Sequence, residues 1–199
     1  MRLIGFGLLL AQVAFAGAFT DQRRGFSFEL PAGYQRFDED NKGRHAFVRE
    51  VSPGVEATLL MILSDKQLGQ DLVVERAVIE KSLRKGAESS GVRDAVIEHR
   101  KVRWGAFELD VDIIKSVEKA NVGLSSRVPL ESGLIYVMVT GPISDEQQVN
   151  ADFDGVMSSL KGQTNWKTKQ EQVGFYLGLA VVPVAFVLVV LWRLFRRRK

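Results

Sequence analysis

Glu108, Asp110 and Asp112, spaced two residues apart, come nearer to a catalytic or metal-binding pattern than anything else in this 199-residue chain. Side chains alternate between faces along an extended strand, so the three carboxylates would share one face. A hairpin turned around Trp104-Gly105 would set His99 opposite Asp110 and Lys101 opposite Glu108. It would point Val102, Phe107, Leu109, Val111 and Ile113 the other way. Carboxylates with an imidazole are donors for a divalent cation, and they are also groups from which a hydrolytic site can be built. The competing expectation is a solvated ladder of cross-strand ion pairs, because Lys101 stands among the acids and an antiparallel strand commonly keeps one charged face. We take the ladder as the expectation and His99, Glu108, Asp110 and Asp112 as the metal-site candidates to be tested against it.

Other chemistries find less support. His45 is the second of two histidines, and neither sits in an H-E-x-x-H or paired spacing. No cysteine is present, which excludes disulfides, thiol catalysis and iron–sulfur ligation. The serine pairs 89–90, 125–126 and 158–159 lack a G-x-S-x-G elbow, and no glycine-rich phosphate loop occurs. The residues therefore point to a non-enzymatic protein without a cofactor. Trp104, at the expected hairpin tip, is read as folding back on its own sheet. Trp166 is read as dipping toward lipid headgroups.

Those residues must be positioned by the middle of the chain, and charge separates that middle from its ends. All 24 acidic residues lie between Asp21 and Glu171, whereas six of the 27 basic ones are terminal, which leaves the middle at a formal −3. The basic balance belongs to the tail, so nucleic acid is not an expected partner. Residues 1–18 resemble a signal peptide: Arg2, an apolar run, and small residues at Ala14, Ala16 and Ala18 that fit cleavage after Ala16 or Ala18. Residues 173–192 hold no charge and, as a helix, would extend about 30 Å, the thickness of the hydrocarbon core. Phe175, Tyr176 and Trp192 would stand at its interfaces. Arg193, Arg196, Arg197, Arg198 and Lys199, in the tail 193–199, would keep the C-terminus cytoplasmic. Residues 162–172 read as a short polar juxtamembrane linker.

Between these ends, residues 19–161 read as one extracytoplasmic domain. Phe26, Phe28 and Leu30 alternate with polar residues as in a half-buried strand. Further strands are expected at 34–37, 44–51 and 55–63, the last covered on both faces. A helix from Leu72 to about Lys85, capped by Asp71 and ended near Gly86, precedes the charged hairpin, 94–103 and 106–117. Strands at 124–130 and 134–140 flank Glu131-Ser132-Gly133. Ser144 and Gln147 form a capping-box pattern ahead of a helix bearing Val149, Phe153, Val156, Met157 and Leu160. The fold class is α+β: an antiparallel sheet with two packing helices.

The opening Phe26, Phe28, Leu30, Pro31, Gly33 and Tyr34, with Phe153, Val156 and Leu160 at the end, resembles the PsbP-like fold, which includes photosystem II extrinsic PsbP proteins and bacterial periplasmic DcrB-type proteins. The resemblance covers roughly residues 25–161, rests on packing positions, and implies a binding or assembly module. The combined expectation is a single-pass protein of the bacterial cytoplasmic (inner) membrane. Its periplasmic domain would bind or help assemble another envelope protein. The alternative is a small-ligand or metal-binding domain, with hydrolytic chemistry on the His99 face.

Overall fold

The computed structural model describes residues 17–37, 43–67, 76–89, 92–168 and 171. Two sheets share one core. The larger has seven antiparallel strands in the order β3-β4-β5-β9-β8-β7-β6. These are β3 (Gln35–Arg36), β4 (Arg44–Ser52), β5 (Val55–Ser64), β6 (Val96–Trp104), β7 (Phe107–Ser116), β8 (Asn121–Leu130) and β9 (Gly133–Pro142). The smaller joins β1 (Ala18–Asp21), β2 (Phe26–Glu29) and β10 (Lys161–Gly162), with β2 in the middle. Every neighbouring pair in the large sheet is antiparallel, as short turns such as Pro53-Gly54 and Glu131-Ser132 require.

Helix α2 (Glu146–Ser159) crosses one face of the large sheet. Its Val149, Phe153, Val156 and Met157 are fully buried, and Leu160 follows them into the core. Each such side chain taken out of water contributes about 1.5–3 kcal/mol. The approach is close: a Cβ on Gly141 of β9 would lie 2.7 Å from a Val149 methyl, so only glycine admits the helix there. Phe19, Phe26, Phe28, His45 and Phe47 form an aromatic group that seals the small sheet to β4, with ring centroids 4.8–6.1 Å apart. Helix α1 (Arg76–Ser89) lies on the opposite face of the large sheet, beside the outer strand β6. Arg100 of β6 stacks on Phe153 of α2, so its neighbour His99 points away from α2, and His99 meets Glu80 of α1.

Several sequence expectations change here. The hairpin turns at Gly105-Ala106, not Trp104-Gly105, because Gly105 takes the left-handed conformation (φ 56°) and Trp104 pairs with Phe107. Helix α1 runs through Gly86 to Ser89. The Ser144–Gln147 capping box does not form; Ile143–Asp145 make a 3₁₀ turn, and α2 starts behind Asp145 without a side-chain cap. Strand β5 buries Ala57, Leu59 and Met61 on one face, while Thr58, Leu60 and Ile62 opposite stay half-buried. Trp104 is 4% exposed and donates its indole N–H to the Leu160 carbonyl at 2.9 Å, as a tip residue folded back would. Trp166 also packs on the domain, edge-on to Phe107 at 5.9 Å.

Ala18 already pairs with Glu29, and the Gly17 carbonyl accepts a hydrogen bond from the Leu30 amide, so the folded domain begins before Phe19. Residues 1–16 of the expected signal peptide lie outside the described residues, as do Asp71, the span 173–192 with Phe175, Tyr176 and Trp192, and the basic tail Arg193, Arg196, Arg197, Arg198 and Lys199. Among the described residues no helix is long and apolar enough to cross a membrane.

Candidate functional site

The true hairpin register moves every cross-strand pair by two positions. The acids therefore keep their common face but change partners. His99 stands opposite Asp112, Lys101 opposite Asp110 and Arg103 opposite Glu108. Asp112 accepts from His99 Nδ1 at 2.8 Å, and Lys101 reaches Asp110 at 2.6 Å. His99 Nε2 lies 3.2 Å from Glu80, a residue of α1 that sequence spacing could not place there. The two carboxylates sit on opposite nitrogens, and no single point is shared by all three groups. Accordingly, no set of three His, Asp or Glu among the described residues is arranged to hold a metal ion. The structure brings together His99 and Asp112 but leaves Glu108 and Asp110 further along the strip, where Glu108 is exposed and Asp110 is neutralised.

A second cluster was not foreseen. Arg49 of β4 reaches Asp145 at 2.8 Å and Asp152 of α2 at 3.0 Å, and its guanidinium stacks 5.5 Å from the Tyr34 ring centroid. Gln148 donates a further bond to Asp152 at 2.8 Å. Burial lowers the tendency of Arg49 to hold its proton, but the two carboxylates outweigh it and raise its pKa. Burial, with the Asp152 charge, pushes the Tyr34 phenol well above its ordinary range against the opposing pull of Arg49. The phenol oxygen is buried beside both groups without a hydrogen bond of good geometry to either. This cluster fastens α2 to the sheet.

Among the described residues, a concavity lies elsewhere, at the turn joining β1 to β2. A cleft of about 720 Å³ opens on one side, lined by Arg23, Arg24, Ser132, Lys161 and Gln163 among others. A smaller one of about 410 Å³ opens on the other side, toward Arg36 and His45. Arg24 fixes the turn by reaching Asp65 at 2.6 Å and the Ser132 carbonyl at 3.2 Å. Asp21 receives the Arg24 amide at 2.9 Å and pairs with His45 Nε2 at 2.9 Å. Burial alone would raise the Asp21 carboxyl; the His45 and amide hydrogen bonds overcome that and leave it below its ordinary value. The adjacent basic pair Arg23-Arg24 was the available sequence signal, but the partners that turn it into a cleft wall come from residues about 40 to 140 positions away.

The exit from the domain is equally specific. A Cβ on Gly162 would lie 2.6 Å from Leu130 Cδ2, so a larger residue would have to displace that methyl where β10 crosses the end of β8. Glu131 then donates its amide to the Gln163 carbonyl at 2.8 Å. Beyond Trp166, Thr168 and Glu171 exchange a capping box: the Thr168 amide donates to the Glu171 carboxylate at 2.7 Å, and the Glu171 amide donates to the Thr168 hydroxyl at 3.2 Å. The Thr168 amide and hydroxyl hold the Glu171 carboxyl below its usual value. This helix-start pattern stands two residues before Val173.

No protein-family model and no curated protein matches the sequence. Among solved structures, the solution structure of cyanobacterial PsbP (CyanoP) from Synechocystis sp. PCC 6803 is similar to this chain, with a TM-score of 0.54 and 18% identity over 80% of this chain and 98% of that one. A crystal structure from Bacteroides thetaiotaomicron VPI-5482 overlaps at a TM-score of 0.43 and 14% identity, over 76% of this chain and 50% of that one, too low to carry an argument. An antiparallel sheet with two helices, matching CyanoP along nearly its whole length, gives this chain a PsbP-like fold.

Proposed function

We propose that this chain is a membrane-anchored, extracytoplasmic binding or assembly module of the bacterial envelope, without enzymatic activity of its own. The observation that carries the reading is how the acids are used. Asp112 is spent on His99, Asp110 on Lys101, Asp21 on His45, and Asp145 with Asp152 on Arg49. Carboxylates committed to cations hold strands and helices together; they are poorly placed to take a proton from a substrate or to open toward a metal. The alternative, a ligand or metal site on the His99 face, would require those pairs to separate.

Three features support the anchored address. The sequence from Val173 to Trp192 has the length and flanks of a bilayer span. The reciprocal Thr168–Glu171 hydrogen bonds just ahead of it have the pattern of a capping box. Strand β1 begins at Ala18, two residues after Ala16, so removal of a signal peptide at Ala16 would leave the whole sheet in place.

In-cell crosslinking followed by mass spectrometry tests the function, with the full chain compared with a variant ending before Val173. Reproducible envelope partners that disappear with the anchor are expected. A full chain that captures no partner, yet gains thermal stability from a small ligand or divalent ion, would overturn the reading in favour of the alternative.

A further inference from the structure

We propose that β4, β5 and β9, on the face of the large sheet turned away from α2, form a docking surface for one amphipathic helix of a partner protein. The inference rests on the reading of the chain as a binding or assembly module and names the surface that does the binding. Alternation along the strands divides the sheet. Phe47, Ala57, Leu59, Met61, Val137 and Val139 point toward α2 and are at most 1% exposed. Their alternates Ala46, Val48, Leu60, Ile62 and Met138 point the other way and are half-buried, while Tyr136 is 38% exposed. Phe37, 74% exposed, flanks them by bonding its amide to the Ala46 carbonyl. Helix α1 meets this face at β6, where Glu80 touches His99, and the strand order leaves β9, β5 and β4 three or more positions away.

Register arranges the strip in rows. Ala46, Leu60 and Met138 are cross-strand neighbours in the middle row, and Val48, Thr58 and Thr140 make the next row toward the β4–β5 turn. Beyond them Glu50 stands directly opposite Glu56. On the other side of the middle row, Arg44, Ile62, Tyr136 and Arg127 form one line with the arginines at its two ends. The strip is thus apolar along its length, with two carboxylates at one end and two guanidinium groups at the other. Glutamates opposite each other on one face repel. Neither they nor the two arginines join an ion pair among the described residues. With the turn 38–42 included, which adds Asp38, Glu39, Asp40 and Lys42, the arginine line sums to zero, so the fit to a partner is a matter of local groups rather than of net charge.

A helix fits these groups. It is about 10 Å across, the width spanned by three strands about 4.8 Å apart. From Glu56 to Ile62 the strip runs about 20 Å, which a helix covers in about 13 residues. The free amides of its first turn, at the positive end of its dipole, belong over Glu50 and Glu56. Its last carbonyls belong over Arg44 and Arg127. A strand laid along the same strip brings little dipole to either end. The partner is therefore an amphipathic helix with its N-terminus beside Glu50 and Glu56 and its apolar stripe over Leu60, Ile62, Tyr136 and Met138, which is recognition of a helix in a groove.

In-cell photo-crosslinking of the full-length chain tests this, with a photoreactive phenylalanine analogue in place of Thr58, of Tyr136 or, on the exposed side of α2, of Ala151. Peptide mass spectrometry reads which partner residue is captured. Thr58 and Tyr136 lie two rows apart, about 13 Å. Their contacts should therefore fall about nine residues apart on the partner's helix, with the contact of Thr58 nearer its N-terminus. Glu50→Gln/Glu56→Gln relieves the repulsion between the two acids, so the melting temperature should hold or rise while capture from both positions falls about threefold or more. Undiminished capture by that variant refutes the charge match. Contacts about four residues apart, as on a strand, the opposite polarity, or a product joining two copies of this chain overturns the helical partner. Capture from position 151 alone rules out this face and leaves the binding module standing, whereas capture from no position refutes both.

Discussion

Replacing Arg49 with Met should be among the more damaging single changes in the domain. Met keeps much of the aliphatic stem and its contact with the Tyr34 ring while removing the charge that Asp145 and Asp152 share. The Asp152 side chain is 3% exposed and cannot turn to solvent, whereas Asp145 is 22% exposed and can. Removing one member of a buried ion pair costs about 3–5 kcal/mol. Gln148 still donates to Asp152, which places this case near the lower bound of about 3 kcal/mol. For a domain of about 150 residues that loss lowers the thermal midpoint by roughly 6–12 °C. Circular dichroism melts of the full chain in detergent would measure it, with urea midpoints as a second reading. The double variant Arg49→Met/Asp152→Asn removes the stranded charge and should recover about half of the loss. A midpoint change below about 2 °C, or a double variant no more stable than the single one, would refute the assignment of Arg49 as the buried counter-charge that fastens α2.

Cleavage of a signal peptide after Ala16 preserves the Gly17 carbonyl bond to Leu30 and the Ala18–Glu29 pair, so intact-mass analysis should find Gly17 as the mature first residue; Phe19 would count against it. A panel of divalent ions should leave the melting temperature unchanged, because His99 and Asp112 already satisfy each other; a reproducible increase lost in Asp112→Asn would reverse that. Asp21 titrates below its ordinary value in the folded chain, so its contribution is complete above the unfolded pKa of about 4 and is lost as pH falls through the lower folded value. The stability gap between the native chain and Asp21→Asn should therefore hold at neutral pH and close as pH falls through the lowered folded value; a gap that widens on acidification would contradict the pairing with His45.

Local periodicity carried a good deal of this protein into view. Phe26, Phe28 and Leu30 declared a strand by alternation, and Val149, Phe153, Val156, Met157 and Leu160 declared a buried helix face by their spacing. Each pattern is set by the geometry of the chain over one or two turns. The charged face of the β6–β7 hairpin was legible for the same reason: a shift of two positions in pairing preserves which side a residue occupies. What that shift altered was the partner of each acid, and the partner decides the chemistry. Gly105 took the left-handed position of the turn, so Asp112 rather than Asp110 came to face His99.

The remaining decisions belong to tertiary structure because they join residues far apart in the chain. Nothing near Arg49 announces Asp145 and Asp152, 96 and 103 residues away. Nothing near Arg24 announces Ser132, 108 residues away. The Ser144–Gln147 capping pattern lost out, and Asp145 just beyond Ser144 is drawn to Arg49 instead. Composition and periodicity determined that the chain builds a sheet with two helices between two apolar ends. The packing of that sheet decided which charges meet and cancel.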